Sequence, residues 1–372
     1  MTPPSRPRSL GRLLGDVKVA AAHANEAAGV LTPEEAHAVQ MAAHQMAVGA
    51  FDEELAAVDL RAGGGGIAVH QLVNDLIAER ASLRLGAPVD PKRQVAASQS
   101  TADVLHTATR LALHDQLDAL VAAVSVVVAS LRAAADRFGD VPTLARTCLQ
   151  DALAAPARLL VDGAADALDR RAAVVTAVVG PLDQVVLGTT VIGDGTGAPD
   201  AYRAKVIPLL AELTRRPLTP HPRPASALQH GDDLLDASAA VVGVAMVAAK
   251  LGQDLRLLSS GPHGGFGEVR LPKVAEGSAF FAAKNNPIVP EGVIAAAARV
   301  QAADAEVRAG VARAELHLAG YDLAATAALF EAIPPLTAAL RSLAEDAIDG
   351  MELDEGRCRE LAALATSIKE SP

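Results

Sequence analysis

The amino-acid sequence predicts an all-α protein in which long helices pack side by side in a bundle. Apolar residues recur every three or four positions along several segments, which is the spacing of one helix face. Aromatic residues make up only 2% of the 372 residues, so the core must be filled by alanine, leucine and valine, which suits closely packed helices. The apolar stripes are Val104, Leu111, Leu117, Leu120, Val124, Val128 and Leu131; Leu168, Ala172, Val175, Val179, Leu182 and Val186; and Leu235, Ala239, Val242, Met246 and Ala249.

These helices have more apolar surface than a single bundle can cover. Positions beside the stripes, such as Val121, Val178 and Val241, are apolar as well. A helix that is apolar nearly all round must be buried on several sides, so we expect helices of several subunits to pack together. The longest near-apolar run, Ala237 to Ala249, is too short to span a bilayer and indicates a buried helix.

Composition argues against several kinds of function. The net charge of −11 gives an acidic surface that repels phosphate backbones, so we expect no nucleic-acid partner. Two cysteines, Cys148 and Cys358, indicate neither a disulfide framework nor a zinc site, and the histidines show no metal-ligand spacing. The first fifteen residues lack the apolar segment of a secretory signal. We therefore expect a cytoplasmic protein with no membrane partner, no metal and no cofactor.

Glycine and proline clusters set the expected ends of the helices. The run Gly63–Gly66 precedes a helix predicted from about Ala68 to Leu85. A helix beginning near Gly163 is predicted to continue until the breakers at residues 193–199. A last pair of helices is predicted at residues 291–318 and 323–348. Short candidate strands, such as residues 268–271, are predicted to be extended loop pieces.

A long loop carries the strongest functional signal. Residues 259–286 contain five glycines, and a loop of this length is uncommon in a helical protein unless it functions. The loop reads SSGPHGGFGEVRLP at residues 259–272 and GSAFFAAKNNP at residues 277–287. These stretches resemble the S-G-P-R-x-G-x-x-E-I-x-L-P and G-S-S-x-M-P-x-K-x-N-P signatures of aspartate ammonia-lyases and class II fumarases.

Four further segments resemble the same family in the same order. Residues 98–104 (SQSTADV) are similar to S-Q-S-[ST]-N-D-V, and residues 146–152 (RTCLQDA) to R-T-H-L-Q-D-A. Residues 73–81 (VNDLIAERA) are similar to V-N-E-V-I-A-N-R-A, and residues 187–193 (LGTTVIG) to L-G-G-T-A-V-G. One such motif alone is weak evidence, but collinear matches identify the chain as a member of the aspartase/class II fumarase superfamily.

The resemblance implies a long-helix bundle that assembles into a homotetramer. It divides the chain into a shortened N-terminal helical domain at residues 1–93, a central bundle at residues 94–345, and a remnant of the small C-terminal domain at residues 346–372. Each active site of the family is assembled from three subunits. The segments around Ser100, Thr147 and Ser278 would therefore come from different chains, and a monomer would be inactive.

The resemblance also implies a reaction, which is β-elimination of ammonia or water from a substituted succinate. Ser278 would remove the proton next to a carboxylate, and the enediolate-like intermediate would need strong electrostatic stabilisation. Lys284 would lower the pKa of the serine and pair with the substrate carboxylate, to which Asn286 would add a neutral donor. Without the family match, Ser278 is a simple loop serine, Lys284 a solvated lysine and Asn286 a turn residue before proline.

Further residues match family positions that bind substrate. Ser100, Thr101 and Thr147 would donate hydrogen bonds to it, and Gln150 would support the site. A structural alternative is that Ser98 or Ser100 caps the N-terminus of the long helix that follows. The glycine run is either an anion-receptive helix entry or a flexible hinge.

The predicted pocket departs from the family at several positions. Ile67 stands in a segment where the family offers hydroxyl groups, and Ala102 replaces the asparagine of S-Q-S-x-N-D-V. Cys148 replaces a histidine and supplies only a weak donor; it is a candidate nucleophile, although a buried cysteine is usually inert. His70 is expected to line the pocket. Because an apolar wall rejects a naked carboxylate, activity on aspartate or malate themselves is not expected.

Three functions remain open from the sequence. The first is a lyase acting on a substituted or partly apolar succinate in specialised metabolism. The second is a pseudoenzyme that binds a ligand or partner without turnover. The third is a cyclisation, isomerisation or Michael-type addition that uses the same enediolate chemistry.

Overall fold

The computed structural model describes residues 9–261, 263–275, 280–281 and 284–369 and confirms the predicted all-α fold class. Nearly all of the regular structure is helical, and the longest helix spans 38 residues. The helices are α1 (Leu10–Ala27), α2 (Pro33–Ala47), α3 (Asp52–Ala56), α4 (Ile67–Leu85), α5 (Thr101–Phe138), α6 (Leu159–Val179), α7 (Asp200–Thr214), α8 (Pro224–His230), α9 (Asp233–Leu258), α10 (Ile288–Val311), α11 (Asp322–Ser342) and α12 (Glu355–Lys369).

Short strands join the helices in three pairs. The strands β1 (Pro142–Thr147) and β2 (Gln150–Pro156) form an antiparallel hairpin. The strands β3 (Gln184–Val185) and β4 (Thr219–Pro220) pair in parallel, and β5 (Val269–Arg270) pairs with β6 (Glu352–Leu353) in antiparallel orientation. Part of the segment predicted to be an extended loop piece therefore belongs to a two-residue strand.

The predicted helix from residue 163 to residue 193 is wrong in its second half. The helix α6 ends at Val179, and Gly180–Asp183 forms a single 3₁₀ turn. Pro181 lies in that turn, and a proline has no N–H to continue the helical hydrogen bonds. Leu182 and Val186 keep the apolar spacing of the stripe and are buried, but they lie outside the helix.

The chain divides into two compact units. The first comprises residues 1–119, 176–239 and 303–331, and the second comprises residues 120–175, 240–302 and 332–372. The core of the first unit lies among α1, α2, α4, α7 and the first turns of α5, and it includes Leu13, Ile77 and Leu111. In the second unit the β1–β2 hairpin packs on α12, where Leu144, Leu361 and Ala365 form a small apolar cluster.

A network of charges in the first unit connects the third turn of α5 to the first turns of α9 and α11. The Arg110 side chain of α5 is 1% exposed and forms bidentate hydrogen bonds with Asp233 at the start of α9 and with Asp322 at the start of α11. A guanidinium group carries enough donors to satisfy two carboxylates in this geometry. The network therefore fixes the ends of α9 and α11 against α5.

Three of the described helices are long and apolar enough, by length and composition, to cross a membrane. They are α5, α9 and the segment Asp322–Ile348, which includes α11 and the turn of π-helix after it. Within the single chain, 44%, 50% and 61% of their apolar windows are buried, respectively. The apolar run Ala237 to Ala249 is shorter because it ends at the first charged residue, whereas these segments of 18 residues may contain up to two charged residues. About half of this apolar helix surface remains uncovered in one chain.

Candidate active site

A cavity of about 400 Å³ in the first unit brings four of the predicted site residues together. It is lined by Ile67 and His70 from α4 and by Ser100 and Thr101 at the start of α5. Asn74 and Gln99 also line it, and the buried Oδ1 atom of Asn74 has no hydrogen-bond partner among the described residues. The predicted grouping of the α4 and α5 segments is thus present as a concave surface with polar atoms.

The glycine run before α4 sets the entry of that helix. Each of the four glycines has a positive φ, and Gly66 at +82° is the last residue before Ile67. Glycine adopts this left-handed conformation without steric cost, whereas other residues do so rarely. The run therefore turns the chain sharply so that α4 starts at the edge of the cavity.

Ser100 caps the N-terminus of α5, as the structural alternative anticipated. Its Oγ atom accepts a hydrogen bond from the Ala102 N–H at 3.1 Å, and its own N–H donates to Oδ1 of Asp103 at 2.9 Å. This reciprocal arrangement satisfies two N–H groups of the chain at the helix start. Because the Ser100 hydroxyl uses only a lone pair for the cap, its hydrogen is free to donate into the cavity.

A chain of buried hydrogen bonds runs behind the cavity and includes a residue that sequence reasoning missed. The Nζ atom of Lys18, on α1, lies 2.8 Å from Nε2 of His70, and Nδ1 of His70 lies 2.9 Å from Oγ1 of Thr101. Nζ of Lys18 also donates to Oε1 of Gln99 at 2.8 Å. The Lys18 side chain is completely buried, and His70 is 5% exposed.

This series of hydrogen bonds determines which atoms can donate to a ligand. An ammonium group only donates, so protonated Lys18 places an acceptor at Nε2 of His70 and the imidazole proton at Nδ1. Nδ1–H then donates to Thr101, whose hydroxyl hydrogen is left free for the cavity. Burial, and then the charge of Lys18, lower the pKa of His70 to about 2, so the imidazole stays neutral near pH 7.

Buried charges of both signs lie beneath the site. Burial lowers the pKa of Lys18 to about 7, while the nearby Asp103 carboxylate opposes the shift. Burial raises the pKa of Asp103 to about 6, although its carboxylate accepts hydrogen bonds from the N–H groups of Ser100, Gly188 and Thr190 and faces Lys18. Asp103 thus joins the start of α5 to the loop that follows β3.

The second unit holds the predicted residues of the long loop. Lys284 and Asn286 line a cavity of about 810 Å³ together with Ser259, Ser260 and Arg270. Lys284 and Asn286 are both exposed in the single chain. Two other cations of this cavity have carboxylate neighbours, since Arg256 Nε lies 3.3 Å from Glu291 Oε1 and Arg270 Nη1 lies 3.0 Å from Asp354 Oδ2.

Lys284 is the cation of this cavity that is available to a ligand. Within the part of the chain that the structure describes, no carboxylate pairs with its ammonium group. The predicted base, Ser278, lies outside the described residues, so its role remains a prediction from the sequence.

A buried glutamate anchors the first half of the loop. Glu268 is fully buried; it accepts a short hydrogen bond from Thr143 and pairs with Arg146 Nη1 at 2.6 Å. The Arg146 guanidinium also stacks over the ring of Phe266, 4.2 Å from its centroid. Sequence reasoning did not single out Glu268 or Arg146, although both belong to the segments that resemble the family. Their contacts position the loop against β1.

Thr147, Cys148 and Gln150 lie at the turn of the β1–β2 hairpin. Thr147 and Gln150 are paired across it, and all three side chains are exposed in the single chain. Cys148 and Leu149 form the two-residue turn with φ of +52° and +59°, a conformation that usually requires glycine or asparagine. Thr147, Cys148 and Gln150 line neither the cavity of about 400 Å³ nor that of about 810 Å³, whereas Leu149 lines a separate cavity of about 330 Å³ beside Phe266.

The candidate residues therefore divide between the two units. Ile67, His70, Ser100 and Thr101 belong to the first, whereas the hairpin and loop residues belong to the second. Among the described residues, no group of three or more histidine, cysteine, aspartate or glutamate side chains is placed to hold a metal ion.

Comparisons with known proteins agree with the resemblance of the motifs. Residues 9–302 match the protein family described as Lyase. Aspartate ammonia-lyase of Pseudomonas canavaninivorans is 32% identical over 358 residues, which cover 94% of this chain and 75% of that enzyme. Class II fumarate hydratase of Mycobacterium tuberculosis is 31% identical over 359 residues, which cover 96% of this chain and 75% of that enzyme.

Solved structures are similar over nearly the whole chain. A crystal structure of a fumarate lyase:delta crystallin from Brucella melitensis, described as bound to cobalt, has a TM-score of 0.91 and 32% identity. The similarity covers 96% of this chain and 80% of that one. Class II fumarase from Schistosoma mansoni has a TM-score of 0.90 at 21% identity, which shows the shared fold.

The buried Lys18 predicts a specific pH dependence of stability. The folded protein releases the Lys18 proton near pH 7, whereas an unfolded lysine retains it to about pH 10.4. Between these values the unfolded chain binds more protons, so this group makes the free energy of unfolding rise with pH. From pH 7 to pH 9 we expect the wild type to gain about 2 kcal/mol relative to the Lys18→Met variant.

Urea denaturation at pH 7 and pH 9, at one protein concentration, measures this difference. Lys250→Met is the control, because Lys250 is an exposed lysine of α9 whose removal should leave the pH dependence of the wild type unchanged. A difference between the wild type and Lys18→Met that stays constant from pH 7 to pH 9 contradicts the prediction.

Proposed function

Because the chain belongs to the aspartase and class II fumarase family of lyases, we propose that it catalyses β-elimination from a substituted, partly apolar succinate. The observation that carries this proposal is the cavity beside α4 and α5. Ser100 and Thr101 each have a hydroxyl hydrogen free to donate there, and Lys18, which is charged below about pH 7, lies behind them. Two adjacent donors backed by a cation suit one carboxylate of a substrate.

The wall of the same cavity supports a substrate other than aspartate or malate. Ile67 is 58% exposed and offers an apolar surface where the family has a hydroxyl group. A site that lacks a hydrogen-bonding partner rejects a polar group and accepts an apolar one. The substrate would thus present an apolar part to Ile67 while Ser100 and Thr101 hold one of its carboxylates.

The second unit would supply the chemistry. The hydroxyl of Ser278, activated as an alkoxide, would take the proton from the carbon next to a carboxylate. The electron pair of that C–H bond would form the enediolate and then the C=C bond as the C–N or C–O bond breaks. Lys284 would stabilise the developing negative charge, and Asn286 would donate a hydrogen bond to the same carboxylate. No cofactor is required for these steps.

Elimination is tested by the absorbance of the new conjugated double bond. The panel is aspartate, malate, argininosuccinate and succinates with substituents on nitrogen or carbon. We expect absorbance to increase with a substituted succinate, and Ser278→Ala to lower kcat by at least about 10³-fold because the base is lost. Ser125→Ala, which removes an exposed hydroxyl of α5, is the matched control and should keep full activity.

Two outcomes contradict parts of this proposal. Unchanged turnover in Ser278→Ala removes the serine from the mechanism. Binding of a panel member by the wild type without any elimination favours the pseudoenzyme, or the rearranged chemistry if a different product forms.

We also propose that the protein is a cytoplasmic homotetramer with shared active sites. The apolar faces of the long helices support this, because Val126, Val174 and Met246 of the second unit are 42%, 39% and 49% exposed in one chain. Apolar surface of this extent marks an interface. The division of the candidate residues between two units is consistent with a site that different chains complete.

A charge placed on this apolar face should break the tetramer. Met246→Glu introduces a carboxylate at a surface that we expect to be buried between subunits, so the mass measured by light scattering should fall below that of four chains. Leu83→Glu is the control, since Leu83 of α4 is 74% exposed and belongs to the first unit. A wild-type protein that is a monomer, or that is recovered in the membrane fraction, overturns the proposal.

A further inference from the structure

A second, smaller cavity in the first unit contains a histidine that nothing in the fold uses. His106 lies on α5, one turn after Ala102, and is 6% exposed. Neither of its ring nitrogens has a hydrogen-bond partner among the described residues. It lines a cavity of about 30 Å³, which is room for a group of about two heavy atoms.

The cavity adjoins the proposed carboxylate site. Thr101 lines both cavities, and Ala102, the position at which the family has asparagine, lines the smaller one. The rest of its wall is largely apolar and includes Leu105, Leu318 and Leu323. Because Thr101 lines both cavities, a ligand carboxylate held by Ser100 and Thr101 would lie beside this smaller cavity.

The charges around His106 are balanced. Burial, and then the charge of Arg110, lower the pKa of His106 to about 4, while Asp322 and Asp233 oppose the shift. The imidazole is therefore neutral near pH 7 and offers one N–H donor and one acceptor nitrogen. Asp322 also lines the cavity, but both of its oxygens accept from Arg110. A carboxylate or an ammonium group would be desolvated there without a counter-charge of its own.

An unpartnered imidazole is costly for the fold. Leaving a buried polar group without a hydrogen bond costs about 1 to 3 kcal/mol, and a leucine would fill the same space without that cost. Thr107, the next residue, also has a buried hydroxyl without a partner, but it does not line this cavity. His106 therefore differs from Thr107 in facing a space that a ligand can enter.

We propose that His106 determines substrate specificity by binding an uncharged hydroxyl on a short branch of the substrate, such as a hydroxymethyl group. A hydroxyl can donate to the acceptor nitrogen of a neutral imidazole or accept from its N–H, so it pairs with whichever nitrogen of His106 faces the cavity. The apolar wall accommodates the carbon of the branch. This inference rests on the proposed function, because it places the succinate carboxylate at Ser100 and Thr101.

The test is equilibrium binding by calorimetry of three probes: succinate, methylsuccinate and hydroxymethylsuccinate. Binding is measured in the full-length Ser278→Ala protein, so that the proposed base cannot consume the probe. We expect hydroxymethylsuccinate to bind about tenfold more tightly than methylsuccinate, because a hydrogen bond to a buried imidazole is gained. His106→Leu should remove this preference without changing the affinity for succinate.

Two further variants keep the test decisive. His106→Gln retains a donor and an acceptor and should keep part of the preference, which guards against a failure of the leucine variant to fold. Thr107→Val removes the unpartnered hydroxyl of the neighbouring residue, which does not line the cavity, and should leave all three affinities unchanged. Equal binding of methylsuccinate and hydroxymethylsuccinate overturns the inference and leaves the carboxylate site intact. Failure of all three probes to bind contradicts the carboxylate site itself, and the inference with it.

Discussion

The first unit depends on the interactions of one buried carboxylate, that of Asp103. It accepts the N–H of Ser100, which closes the cap of α5, and the N–H groups of Gly188 and Thr190, which fasten the loop after β3. It also faces the buried ammonium of Lys18. A buried charge with three donors and a counter-charge is stable, whereas the same group unpaired is strongly destabilising. The positions of Ser100 and Thr101 follow from this one arrangement.

Lys18 is connected to the cavity by hydrogen bonds through the neutral imidazole of His70. Hydrogen bonds from Lys18 to His70 and from His70 to Thr101 leave the threonine hydroxyl as a donor and keep the ammonium itself out of contact with the ligand. His106 lines the smaller cavity together with Thr101 and is neutral near pH 7 as well. In the proposed function the pocket would thus combine an attractive potential for one carboxylate with uncharged groups for the rest of the substrate.

Local signals in the sequence predicted much of the helical fold. The start of α4 was predicted to within one residue, because a glycine run marks the entry of the helix. The end of α6 was missed because the apolar stripe continues past Pro181, and the β1–β2 hairpin was missed because its turn is formed by Cys148 and Leu149 rather than by asparagine and glycine. In both cases one or two residues set the backbone conformation, and the pattern of apolar residues gave no sign of it.

The site was predictable only where a motif carries it. Ser100 and Thr101 come from a segment that resembles the family, whereas Ile67 and His70 lie where the chain departs from it, and the structure gathers all four around one cavity. Lys18 carried no such signal, because a lysine in a helix is usually solvated and its partner His70 is 52 residues away. The burial of His106 was likewise invisible, since it results from the packing of α5 against segments distant in sequence.

The most direct test of the central claim mixes two inactive chains. If Thr101 and Ser278 of one active site come from different subunits, a tetramer assembled from equal amounts of Thr101→Val and Ser278→Ala chains contains intact sites. Random assembly gives about a quarter of the sites both wild-type residues, so about a quarter of the wild-type turnover should return. Turnover that stays at the average of the two variants would show that one chain supplies both residues and would contradict the shared-site account.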